Sequence, residues 1–132
     1  MNTKIIMTIS SVILGVTGII LIFAPDVVLQ NLDIDASPAS LLLGQVIGGL
    51  YFGFCMLNWM TKGGLIGGIY NRPIVMGNFA HFFVVGISLI KVLMSTPGLP
   101  KIVWAAGAVY VVFGLIFMTL LFRHPIRSVT GN

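Results

Sequence analysis

Ser40-Leu41-Leu42-Leu43-Gly44-Gln45-Val46-Ile47-Gly48-Gly49-Leu50-Tyr51-Phe52-Gly53-Phe54-Cys55-Met56-Leu57-Asn58-Trp59-Met60 contains no charged side chain. A helix needs about 20 apolar residues, each rising about 1.5 Å, to cross the hydrocarbon core of a bilayer. This stretch is long enough, and its interior breaks are glycines, not prolines. Gly44, Gly48, Gly49 and Gly53 set two overlapping small-xxx-small patterns. Such spacing lets helix backbones approach closely in lipid, where no hydrophobic force drives helices together. The stretch therefore reads as a transmembrane helix with packing glycines.

Three similar runs flank it, at Ile5 to Phe23, Ile74 to Met94 and Ile102 to Phe122. All six prolines (25, 38, 73, 97, 100 and 125) fall between or beyond the four runs. Proline has no N–H and ends helices, so its placement marks the same boundaries independently. The first run follows Lys4, and Phe23-Ala24-Pro25-Asp26 makes a poor signal-peptide cleavage site, so it is read as a helix. In the connection after it, Leu29, Leu32 and Ile34 suggest a short interfacial segment. Composition agrees: 58% of the 132 residues are hydrophobic, 8% are charged, and mean hydropathy is +1.09. A soluble domain carries about 25% charged residues to wet its surface. The expected fold is all-α, a single domain over residues 1–132 formed by an antiparallel four-helix bundle with consecutive spans as neighbours.

Charge sets the expected orientation. Lys4, Lys62, Arg72, Arg123 and Arg127 fall on one side, with Lys91 and Lys101 on the other. The positive-inside rule puts the first group, and both termini, in the cytoplasm of a bacterial inner membrane. Asp26, Asp33 and Asp35, the only acids, then lie outside. The net charge of +4 reflects this scarcity of acids, and no basic run points to nucleic acid. Trp59 and Trp104 sit near opposite span ends, where indoles favour the headgroup boundary.

Polar side chains at membrane depth are costly and so mark candidate sites. Asn58 and Asn78 lie near the cytoplasmic side, with Cys55, His81, Ser10 and Ser11 somewhat deeper. Gln45 and Lys91 lie toward the outside, and Tyr51 and Tyr110 in the middle. His81, Asn78, Asn58, Cys55, Ser11, Gln45 and Lys91 are the candidate ligand-binding residues. His81 is the most informative: a neutral imidazole inside a bilayer needs partners, and Asn78, Ser10 or Ser11 stand close enough in depth to serve. It either handles a proton or ligand, or locks helices together. Lys91 either snorkels to the outer interface or contacts Gln45. Lys62 and Arg72 flank a glycine-rich loop suited to an anionic headgroup, without the order of a nucleotide P-loop. No acid lies inside a span, so paired carboxylates and a Ser-His-Asp triad are excluded, and no metal site is expected. Cys55 and His81 form a nucleophile–base pair with no third orienting group. Spans two and three also align at an offset that matches Gly44 with Gly77, Gln45 with Asn78, Gly53 with Gly86 and Asn58 with Lys91.

The pattern Gly44-Gln45-x-x-Gly48-Gly49-x-x-x-Gly53, followed by a basic loop, resembles the DoxX-like group of small bacterial four-helix membrane proteins. Phe23-Ala24-Pro25 closing span one and Arg72-Pro73 opening span three are similar to other four-span families. The DoxX-like group often carries an acid where this chain has Gln45. The resemblance implies a four-helix bundle and, for some members, quinone-coupled oxidation. Small multidrug transporters and dual-topology fluoride channels match in size but not in their membrane Glu or pore motifs. The leading expectation is a non-enzymatic bundle that binds a lipid-like ligand or a partner subunit. The alternatives are a subunit of a quinone-linked oxidoreductase and an oligomeric channel or transporter. The cofactor implied is a quinone or a lipid; the partners are membrane lipids, further copies of the chain or another membrane subunit.

Overall fold

The computed structural model describes residues 2–64, 71–96 and 98–122. The glycine-rich stretch 65–70 and the tail with Arg123, His124 and Arg127 lie outside them. Five helices form among the described residues: α1 (Thr3–Phe23), α2 (Pro25–Asn31), α3 (Pro38–Thr61), α4 (Arg72–Ser95) and α5 (Lys101–Phe122). Four of them, α1, α3, α4 and α5, are long and apolar enough to cross a bilayer, which marks a multi-pass membrane protein.

The long helices start one or two residues before the apolar runs do. Pro25, Pro38 and Pro73 occupy the first or second positions of α2, α3 and α4. The missing proline N–H costs nothing there, because the first-turn N–H groups have no intrahelical acceptor. At α3 the Ser37 hydroxyl also accepts the Ser40 N–H at 3.2 Å, capping the helix from outside the apolar run. The connection after the first span contains the short helix α2, which carries Leu29. Leu32 caps it, and Ile34 lies beyond it, returning an N–H to the Leu29 carbonyl at 2.9 Å. Asp33 makes that return with a φ of 54°, a left-handed conformation that Asp tolerates better than most side chains.

The long helices associate mainly as two pairs, α1 with α3 and α4 with α5. Glycines let the backbones of α1 and α3 touch. A Cβ on Gly18 would stand 2.8 Å from the Phe52 nitrogen, and one on Gly48 would stand 2.9 Å from the Gly18 oxygen. Nearer the start of α1, the Ser11 hydroxyl donates to the Cys55 carbonyl at 2.8 Å. Partner numbers thus fall along α3 as they rise along α1. In the second pair, Gly86 lies against Tyr110, Gly114 against Phe82 and Gly107 against Leu93.

Consecutive spans are therefore not uniformly neighbours. The α3 and α4 backbones barely approach one another, and side chains bridge between them. The core between the pairs gathers toward the end where α1 begins and α5 finishes. Met7, Leu14, Val75, Phe82 and Phe117 are essentially inaccessible there, with the Phe82 ring stacked on Phe113 and Phe117. The positions matched by the sequence offset have different surroundings: Asn78 is buried, whereas Gln45 is exposed.

Candidate functional site: two polar clusters on the α3–α4 seam

The first cluster is a closed amide clasp. Asn58 on α3 and Asn78 on α4 donate to each other's side-chain oxygens, both at 2.7 Å. The second N–H of Asn58 goes to the Ser10 hydroxyl on α1 at 3.1 Å, and that of Asn78 to the Ile74 carbonyl at 2.9 Å. Ser10 donates in turn to the Met7 carbonyl. An amide has two N–H donors, so every donor of both asparagines is used. All three side chains are fully buried. The clasp ties α1, α3 and α4 together and keeps no hydrogen for a ligand.

One turn further along the seam, the second cluster surrounds His81. Its ring stacks on Phe54 of α3 with centroids 5.0 Å apart and meets Tyr51 edge-on, also at 5.0 Å. Its Nε2 lies 3.3 Å from the Tyr110 hydroxyl of α5, and Phe82 closes the inner side. The other ring nitrogen of His81 has no hydrogen-bond partner among the described residues. The residue is half-buried rather than sealed.

Asn78, Ser10 and Ser11 are thus not the partners of His81. Asn78 and Ser10 belong to the clasp, and Ser11 turns to Cys55. Tyr110 and the aromatic rings of α3 take their place. Cys55 and His81, the nucleophile and base at comparable depth, do not meet: Cys55 faces α1, with its Sγ 3.4 Å from the Ser11 hydroxyl and above Gly15. Tyr51, Phe54 and Tyr110 belong to the site although sequence reasoning left them out. Their signal was depth, since Tyr51 and Tyr110 lie at mid-span, within reach of the level of His81.

The other candidates stand apart from this centre. Gln45 is exposed and reaches the Ile22 carbonyl at 3.5 Å, on the α1 side. Lys91 is exposed and makes no ion pair among the described residues. It does not meet Gln45, which lies on the other side of α3. A Cβ on Gly44 would stand 3.1 Å from Pro25, and Gly48 packs against Gly18, whereas Gly49 and Gly53 face open space. The Lys62 ammonium lies 2.8 Å above the centre of the Trp59 ring, a cation–π contact at the end of α3. Arg72 is exposed at the start of α4. No trio of metal-ligating side chains gathers among the described residues. The chain matches no family model, no curated protein and no solved structure.

Proposed function

We propose that the chain is a membrane protein whose His81 cluster holds a lipid-like or other small hydrophobic ligand, without turning it over. The observation that carries this reading is the ring nitrogen of His81 that has no partner among the described residues, set inside a membrane span beside an aromatic slot. A polar atom in hydrocarbon is costly unless hydrogen-bonded, so this position favours a ligand group that completes the bond. The reading takes the helices as an antiparallel bundle in a bacterial cytoplasmic membrane with both termini inside. The opposed pairing numbers, the basic residues and the DoxX-like resemblance support it.

The test is native mass spectrometry of protein gently extracted from its own membranes, comparing wild type with His81→Leu. Wild type should retain a small molecule, and the variant should lose it while remaining folded. Equal occupancy in the variant, or a wild type that never carries a ligand, would overturn the reading.

The Phe54–His81 stack favours a second form of the same idea. A flat, carbonyl-bearing ring such as a quinone fits beside stacked rings, which makes the chain a subunit of a quinone-linked oxidoreductase. A bound quinone in the same experiment selects it. Gly49 and Gly53, open to lipid on the least buried long helix, support contact with another copy or a partner subunit. The assembly mass reads that directly. An oligomeric pore or transporter lined by Asn58, Asn78, His81 and Gln45 has less support, because the closed network of the two asparagines offers a permeant no donor.

A further inference from the structure

The seam between α3 and α4 is closed at one end and open at the other. At the closed end Asn58 and Asn78 grip each other. The Phe54 ring comes next, 3.6 Å from where a Cβ of Gly77 would stand, and stacked on His81. Tyr51 against His81 is the last ring contact between the two helices. One turn beyond Tyr51 on α3, Ile47 is 44% exposed; on α4, Val85 one turn beyond His81 is half-buried, and Val92, three turns beyond, is 45% exposed. Ser88, also on this edge of α4, is exposed and spends its hydroxyl on the Val84 carbonyl of its own helix.

The inward faces of α1 and α5 open in the same direction. Met7 and Leu14 of α1 are sealed, but Thr17 and Leu21 on the same stripe are only half-buried. Phe117 and Tyr110 of α5 are sealed, whereas Ala106 and Val103 beyond them are half-buried.

We infer that the open half of the α3–α4 seam is a lateral doorway from the bilayer to His81, used by a membrane-resident amphiphile with an uncharged, hydrogen-bonding head. This rests on the ligand reading above and adds the route and the chemical class. The lips of the doorway are apolar or internally satisfied, so an acyl or isoprenoid chain crosses them without stripping polar groups of their partners. The head must be neutral, because the chain's only acids lie between residues 26 and 35, and among the described residues the side chains that meet His81 are uncharged. A charged head at the depth of His81 would find no counter-ion among them. Phe54 and Tyr51 set the width of the slot, and the amide clasp fixes how far it closes.

The test uses the full chain with Trp59→Phe and Trp104→Phe, carrying Tyr51→Trp as reporter, in phosphatidylcholine bilayers with acyl chains brominated at mid-depth. Leu50→Trp is the control, since Leu50 is the adjacent residue and is 62% exposed. The reporter should lose fluorescence in brominated bilayers about as fully as the control, and aqueous acrylamide should leave it bright. Phe54→Trp, one turn nearer the clasp, is the second reporter and should be quenched less, which keeps the test usable if Tyr51→Trp does not fold. Quenching by acrylamide without bromine quenching would mean a water-filled cleft and overturn the doorway. Protection from both would mean a closed seam and overturn it too. A retained ligand with a bromine-protected reporter removes the route and leaves the site. A quenched reporter in a protein that never retains a ligand keeps the route and removes the site.

Discussion

Two polar clusters stand one turn apart on the same seam, in opposite states. In the clasp, Ser10, Asn58 and Asn78 are fully buried and each amide hydrogen has an acceptor. Around His81, the ring is half-buried, has one long hydrogen bond to Tyr110, and leaves its second nitrogen unused among the described residues. Depth alone makes both look like candidate sites, since polar atoms in a membrane are costly in either case. Saturation separates them. A closed network holds helices in register, whereas an unfinished one needs something from outside to complete it.

The largest effect expected from this contrast is at the clasp. Asn78→Leu removes both reciprocal bonds and strands the Asn58 oxygen and one of its N–H groups in the core. Interhelical hydrogen bonds in lipid average about 0.6 kcal/mol and reach about 1.7, while an orphaned buried polar group costs about 1–3 kcal/mol. Together these predict a loss of about 2–3 kcal/mol of stability, measured by unfolding in an SDS titration. The double variant Asn58→Leu/Asn78→Leu should be more stable than Asn78→Leu alone, because it leaves no orphaned amide. A double variant that loses the sum of the two single losses would mean the amides act independently, and the clasp would dissolve as a unit.

How much of this was legible beforehand follows from what lipid selects. The spans could be read because a bilayer demands long apolar runs, and the prolines marked their ends. Depth could be counted, so Asn58 and Asn78 were placed near one level and His81 deeper. The direction of each side chain was not legible, because it depends on which helices pair. Gly44 and Gly48 fall on the α1 side of α3, and that contact turns Asn58 inward and Cys55 toward α1. Gly49 and Gly53 repeat the same spacing, but each lies five residues further on, about 140° around the helix at 3.6 residues per turn. They face open space instead. Nothing in the two patterns says which one meets a partner. The partners of His81 were hidden for the same reason: Tyr110 reaches it only because α5 packs on α4 through Gly86 and Gly114.

A smaller effect should come from Ser10→Ala. The Ser10 hydroxyl accepts a single Asn58 N–H at 3.1 Å, and the reciprocal amide pair survives without it. One buried N–H is orphaned, which predicts a loss of about 1 kcal/mol. Ligand occupancy should hold, since Ser10 makes no contact with the His81 cluster. A Ser10→Ala protein that unfolds no more readily but loses its ligand would join the two clusters into one site and break the comparison.

The smallest stability change, and the sharpest test, is Tyr110→Phe. The substitution keeps the ring packed on Phe82, with centroids 5.1 Å apart, and removes only the hydroxyl. The bond it gives up spans 3.3 Å, long for a contact between a hydroxyl and a ring nitrogen. Stability should move by no more than about 0.5 kcal/mol. Both ring nitrogens of His81 then lack a hydrogen-bond partner among the described residues, so the imidazole is no longer oriented by α5. Retention of the ligand, read by native mass, should fall with the fold unchanged. If Tyr110→Phe instead costs as much stability as Ser10→Ala and leaves retention intact, the His81–Tyr110 contact is a second clasp. The two clusters would then differ in strength rather than in kind, and the unused nitrogen of His81 would lose its meaning as a binding point.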